Sequence, residues 1–436
     1  MRTASKGTVL ISGASIAGPA VAFWLCRYGF TVTVVEKAGG LRAGGYPIDV
    51  RGTAVEVARR MGILPLLREA HIDSRQLTFL DADGGTAAKL HPQAVASGVE
   101  GHDVEVRRGD LAEALYGSVR DEVEFVFDDS IDTLAEYGHG VDVTFRSGAQ
   151  RTFDLVLGAD GLHSRTRELV FGPERRFHRY LGYCFAIFTM SNTFGLSHEV
   201  LMWNAPGRAA ALYAVGDSDE LHAFLNFARP EPPYELLRAP EARRGLDAAA
   251  FTDAFAAAFA DDGWEIPAML DAMRHANDPF FDTVAQVRMP SWSSGRVALV
   301  GDAAYAPSFL TGQGSSLALV GAYTLARSLA DHRDHGAAFA AYERDTRGFV
   351  ELNQSQVDAG DAALFPATAE ALEKRNTRLR DLTTSPPPSA RPAHTAITLP
   401  EPGPLDGADA GNPSGVIDPL HDADVELPAT STAPAS

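Results

Sequence analysis

The chain has 436 residues, 45% of them hydrophobic, and a formal charge of −19, which is enough apolar length for two domains with cores of their own. That negative total, with no Lys/Arg-rich run set against it, speaks against nucleic acid as a partner. No apolar run approaches the roughly 18 residues needed to cross a bilayer, and the start MRTASKGTVLISG lacks a signal peptide's hydrophobic region, so a cytoplasmic location is expected.

Residues 9–12 form a short apolar run, 19–28 carry helical apolar spacing, and 31–36 are rich in β-branched side chains, which predicts a β-α-β unit. The turn inside it reads GASIAG. In a dinucleotide fingerprint the first glycine makes the turn, the second admits the pyrophosphate and the third lets the helix pack on the strand. Gly13 and Gly18 fill the outer places, and Ser15 stands in the middle one. Its Cβ crowds the phosphate, but its hydroxyl can donate to it, and the helix start at Ala17 and Gly18 offers free N–H groups and a positive dipole end. Glu36, followed by Lys37, ends the second strand 18 residues after Gly18, where a carboxylate meets the hydroxyls of an adenosine ribose. Alone, the turn reads equally well as structural.

Residues 154–157 and 297–300 repeat the theme of an apolar strand running into glycine and aspartate, so three junctions predict one parallel sheet assembled from distant parts of the chain. Between the second and third, about residues 177–290 hold β-rich stretches at 183–190, 209–215 and 222–227 with no glycine fingerprint, which predicts an inserted sheet domain. Phe185, Met202, Trp203, Tyr213 and Phe224 are candidates for pocket walls there, with plain core as the competing reading. Phe251, Phe255 and Phe259 fall at i, i+4, i+8 and read as a core stripe. A helical tract spans about residues 337–382. From residue 383 onward the chain holds eleven of its 26 prolines and, after Arg391, no Lys or Arg, so 383–436 is expected to be disordered. Cys26 and Cys184, the only cysteines, read as buried thiols, and the scattered histidines, His163 and His222 among them, show no metal-ligand spacing.

The stretches DLVLGADGLHSRTRELVFG and GRVALVGDAAYAPSFLTGQGSSLALVGAYTLA, following the first turn in order, resemble the motif regions of single-component (group A) FAD-dependent aromatic monooxygenases. That family includes p-hydroxybenzoate hydroxylase and the tetracycline-inactivating monooxygenases, and the resemblance covers about residues 7–380. It implies an α/β fold: a Rossmann-like FAD-binding domain of the glutathione-reductase type over 1–75, 105–176 and 291–335, interleaved with a β-sheet substrate domain over 76–104 and 177–290. A C-terminal helical segment would occupy 336–382. It also implies cofactor contacts from Asp160, Gly161, Ser164 and Arg167 in the second motif, and from Asp302, which would accept from ribityl hydroxyls, in the third. Gly312 and Gly314 would lie against the flat ring and open a helix whose positive end stabilises the reduced flavin. Two shorter matches add Arg42 beside the cofactor and Asp49 at the flavin-substrate boundary, from LRAGGYPIDVRG, and Arg108 from VRRGDLAEAL. The chain departs from the family pattern at Tyr305, where histidine is frequent, and at Phe309, where a second proline is common.

The chemistry implied is reduction of FAD by NAD(P)H, addition of O2 to give a C4a-hydroperoxide, and oxygen transfer to an aromatic or polycyclic small molecule of polyketide or antibiotic type. No catalytic side-chain nucleophile is required. The chain lacks a second fingerprint, which suits either transient docking of NAD(P)H on the flavin domain or supply of reduced flavin by a partner flavin reductase. Two alternatives stand beside this. GWEIP at 263–267 resembles part of a flavin-dependent halogenase motif, although its first tryptophan is missing and Lys89 has no motif around it; a non-catalytic flavin- or ligand-binding protein is the other.

Overall fold

The structure, a computed structural model, describes residues 5–41, 45–96, 101–233, 246–358, 364–382 and 392–403. Val9, Leu10 and Ile11 are fully buried, as are Val156 and Leu157. Strands covered on both faces read as unbroken apolar runs, and these belong to a mostly parallel sheet. Its six strands run in the order β17 (Ser293–Ser294), β18 (Val297–Leu299), β11 (Leu155–Gly158), β1 (Thr8–Ser12), β2 (Thr31–Val35) and β7 (Glu124–Val126). All neighbours pair in parallel except β17 with β18. One face packs against the helices Ala17–Arg27 and Gly314–Asp331. The other packs against a three-stranded sheet of β8 (Ile131–Tyr137), β9 (Gly140–Phe145) and β10 (Gln150–Phe153). The three predicted glycine turns therefore leave the same edge of three adjacent strands.

A second, seven-stranded sheet runs β16 (Phe280–Val287), β12 (His178–Ser191), β15 (Glu220–Ala228), β14 (Arg208–Ala214), β13 (Glu199–Ala205), β4 (Gln76–Leu80) and β5 (Thr86–Leu90). Its alternation sorts side chains cleanly between two faces. Leu221, Ala223, Leu225 and Phe227 join Phe251, Phe255 and Phe259 under the helices Leu246–Ala258 and Ile266–His275, so the phenylalanine stripe is core. His222, Phe224 and Asn226 point the other way, where Phe224 meets Phe309 and Phe365. A short ribbon of β3 (Pro47–Val50) and β6 (Val104–Arg107) sets Asp49 directly opposite Glu105.

Two expectations need correction. Among the described residues the C-terminal helical tract is interrupted between the helices His335–Gln354 and Ala369–Leu382, where Phe365 is buried with Tyr183, Phe185 and Leu310 instead of continuing a turn. Disorder throughout 383–436 is also too broad. Residues 392–403 form a strap across the first domain: Pro400 O accepts from Tyr323 Oη at 2.6 Å and Arg60 NH1 at 2.7 Å. Ala393 O accepts from Asn353 Nδ2 at 2.9 Å, and Ala393, His394 and Leu399 are buried. The remainder of that expectation lies outside the described residues. Leu399→Ala is expected to lower the free energy of unfolding by about 2 kcal/mol, toward the low end for a buried leucine because the strap can relax; an unchanged denaturation midpoint would show that the strap is not packed.

Candidate active site at the edge of the parallel sheet

The first turn is shaped by steric necessity. Gly13 has φ +106°, and a Cβ there would sit 2.5 Å from Ala159 O in the second turn. A Cβ on Gly18 would lie 1.9 Å from Gly13 O. Gly301, at φ +65°, leads into the third turn, where a Cβ would lie 3.0 Å from that of Ala17. Glycine is required wherever backbones meet this closely, so the three loops are in mutual contact. Ala17 marks where the first and third loops touch.

The polar groups follow from that contact. Ser15 Oγ accepts from Arg108 NH2 at 2.6 Å, so the serine holds an arginine at the mouth of the turn instead of leaving only a methylene there. Glu36 is half-buried, its carboxylate accepting from Ala14 N at 2.9 Å and Ala38 N at 3.0 Å. Lys37, next to it, is exposed. Arg42 lies outside the described residues. The helix Ala17–Arg27 has no side-chain cap and no acidic residue in its first turn, leaving a positive end beside Arg108. The helix Gly314–Asp331 starts uncapped as well.

Asp302 opens the short helix Asp302–Tyr305 after a fully buried strand. Its side chain is solvent-exposed although protein surrounds it, which describes the floor of a cleft. The surrounding protein raises its carboxyl pKa by desolvation, against the pull of Arg108 and Arg167. Gly314 lies beside it, 3.9 Å from a Cβ position to Asp302 Oδ1, and Gly312, at φ +64°, lies 3.4 Å from Asp49 Oδ2 by the same measure. Asp49 is paired with Arg51 at 2.6 Å, and Ser316 Oγ accepts from Arg51 N at 3.0 Å.

Other candidates turn inward. The Asp160 carboxylate accepts from Ser164 Oγ at 2.5 Å, Thr166 N at 2.9 Å and Thr166 Oγ1 at 3.0 Å, so it closes its own loop. Arg167 is fully buried and ties the second loop to the third, donating to Leu162 O, Ala303 O and Glu174. Tyr305 faces away from the cleft, hydrogen-bonded to Tyr342 at 3.0 Å and packed on Trp292, so this departure from the family pattern changes the core beneath the loop. Trp203 lies on the helix-covered face of the second sheet, stacked on Trp264 of the GWEIP stretch. As a pocket wall it is therefore a misassignment: it sits one residue, hence one face, away from Met202. Met202 and Tyr213 face the correct way but pack with Leu77, Phe79 and Leu379. Phe185 and Phe224 form an aromatic nest with Phe309 and Phe365, the Phe185–Phe309 centroids being 4.9 Å apart.

Two charged groupings escape sequence reasoning because their members are far apart in the chain. His163 Nδ1 meets Glu174 at 2.9 Å and its Nε2 meets Asp282 of β16 at 3.0 Å. Burial alone would lower that imidazole, but Asp282 and Glu174 outweigh it and raise its pKa to about 9. Glu105, opposite Asp49, is pushed up to about 7 by burial and by that neighbouring carboxylate, and Tyr213 Oη and Ser74 Oγ, 2.5 Å apart, hydrogen-bond beside it. Alternation in PIDVRG and DVEVRRGD was the available signal.

An uncapped helix end flanked by Arg108, a carboxylate at the end of β2 and an exposed aspartate between glycine turns match the pyrophosphate, ribose and ribityl-flavin parts of FAD in that order. The comparisons agree. Residues 6–353 match the FAD binding domain family, and the chain belongs to the group A FAD-dependent monooxygenases. A flavin-dependent monooxygenase from an unknown prokaryotic organism is 38% identical over 396 residues, covering 90% of this chain and 98% of that one. An uncharacterised protein of Mycobacterium tuberculosis is 43% identical over 369 residues, covering 84% and 97%. Among solved structures, the tetracycline destructase Tet(55) superposes with a TM-score of 0.76 at 36% identity, covering 92% of this chain and all of that one.

Ser15→Gly is expected to keep FAD affinity within about tenfold, roughly 1.4 kcal/mol, since Arg108 remains. Asp302→Ala is expected to weaken it by on the order of 2–3 kcal/mol; calorimetric titration of apoprotein reads both, and full affinity in the alanine variant would remove Asp302 from the site. The His163 ion pairs stabilise the fold fully below its ordinary pKa of 6.5 and lose that contribution as pH rises through about 9. The unfolding temperature should therefore fall across that window and fall less in His163→Gln.

Proposed function

We propose that the protein hydroxylates an aromatic or polycyclic phenolic small molecule, taking electrons from NAD(P)H and oxygen from O2. The observation that carries this reading is the contact between the third turn and the second sheet: Phe309, three residues before Gly312, packs into Phe185 and Phe224. The aromatic surface is thereby brought up to the segment that would receive the isoalloxazine ring.

FAD, held there, supplies activation of O2 for transfer of one oxygen atom. The chain's own residues bind, orient and exclude water. The N-terminus of Ala17–Arg27 and Arg108 would hold the pyrophosphate, Glu36 the adenosine ribose and Asp302 the ribityl chain. The start of Gly314–Asp331 would face the pyrimidine side, where its positive end favours negative charge. Phe185 and Phe224, beneath Phe309, would provide an apolar surface, which keeps water from diverting the oxygen and holds an aromatic ring close to the cofactor. The likeness to Tet(55) supports a polycyclic substrate class.

The test is NADPH oxidation by the purified yellow protein with and without tetracycline or phenolic polycycles, with product masses recorded. Ligand-stimulated oxidation and a product heavier by one oxygen are expected. A flavin that NAD(P)H cannot reduce, or oxidation yielding only hydrogen peroxide with every ligand, would contradict the reading.

A further inference from the structure

One row of residues crosses four strands of the second sheet: Phe185 on β12, Asn226 on β15, Ala209 on β14 and Asn204 on β13, each in register with the next. Both asparagines lie on the face opposite the helices Leu246–Ala258 and Ile266–His275, and both are fully buried. Their surroundings differ sharply. Asn204 donates to Leu364 O at 2.9 Å and accepts from Arg375 NH2 at 2.9 Å. Among the described residues, neither the amide nitrogen nor the oxygen of Asn226 has a hydrogen-bond partner. A buried carboxamide without partners is among the more costly arrangements in a protein interior, and here apolar neighbours surround it: Phe185 and Ala209 flank it in register, and both belong to the cluster containing Phe365 and Leu310.

The cover over this cluster is itself strained. Ser308, a non-glycine residue, has φ +77° and ψ 147°, and its buried Oγ also lacks a partner among the described residues. The next residue, Phe309, inserts its ring among Phe185, Phe224 and Phe365. A strained residue with an unpaired hydroxyl thus directly precedes the ring that covers Phe185, the register neighbour of Asn226.

We propose that Asn226 is the polar anchor of the substrate compartment, pairing through its amide with an aromatic ligand that carries a donor beside an acceptor, as an aryl carboxamide or an enolised dicarbonyl does. Phe309 occupies the ligand's place until the ligand displaces it. The inference rests on the proposed hydroxylase reading for the location of the compartment, and it narrows the substrate class by chemistry. Two hydrogen bonds made only with a ligand give selectivity against an apolar analogue, because that analogue would leave the amide unpaired.

The experiment titrates the FAD-loaded full chain with 2-naphthamide and with 2-isopropylnaphthalene, read by perturbation of the flavin absorbance, and records the unfolding temperature of each variant. Wild type is expected to prefer the amide by about tenfold or more. Asn226→Leu should unfold at the same or a higher temperature and lose that preference, and Asn226→Ser, a smaller change, should lose it too. Phe309→Ala should bind both probes more tightly. A preference retained in the folded leucine or serine variant, a wild type that does not discriminate, or weaker binding in Phe309→Ala would overturn the proposal. Because no oxygenation is read, these outcomes are separate from failure of the hydroxylase reading, which the NADPH assay detects.

Discussion

The site depends on how closely three stretches of backbone approach at the carboxyl edge of β18, β11 and β1. A Cβ on Gly18 or Gly13 would collide with the backbone of Gly13 or Ala159, and Gly301, at φ +65°, packs tightly against Ala17. That closeness forces the loops to share one crevice, and ligands of open parallel sheets bind in such crevices. It also aims the helices that follow: Ala17–Arg27 and Gly314–Asp331 both begin at the crevice with no side chain over their N–H groups. In the proposed reading, Arg108 would meet an anion there, and Asp302 and Glu36 would meet hydroxyls.

Around this centre, interior polar bonds fix the loops in place. Gln354 donates to Tyr305 O, Ala306 O and Val287 O, and Gln286 donates to Pro307 O, so the third loop's carbonyls are held from below before any ligand arrives. Arg167 links that loop to the second, and His163 bridges Glu174 to Asp282 on the second sheet. The two sheets are thus joined by buried charge pairs at one point and by aromatic packing at another.

The parts of the site governed by local sterics were legible in the sequence. Gly13, Gly18 and Gly312 stand where the backbone turns or closes tightly, which local sterics signal, whereas Gly314 and Asp302 were singled out through the family resemblance. Residues whose role depends on strand parity or distant partners were not. Trp203 and Met202 are adjacent, and only the sheet's register decides which faces the cleft. Asp160 looked like a ligand until Ser164 and Thr166 claimed its oxygens. The strap at 392–403 was hidden by the composition of a long polar tail, since a few carbonyls and Leu399 anchor it. Asn226 carries no sequence signal, because an unpaired amide is recognised only by counting its neighbours.

Crystals of the full chain grown with FAD would test the central claim most directly. Density for one flavin nucleotide per chain is expected, with its pyrophosphate between Arg108 and the start of Ala17–Arg27 and its ring ending against Gly312 and Gly314. A flavin bound elsewhere, or one that touches only the first of the three turns, would contradict the account.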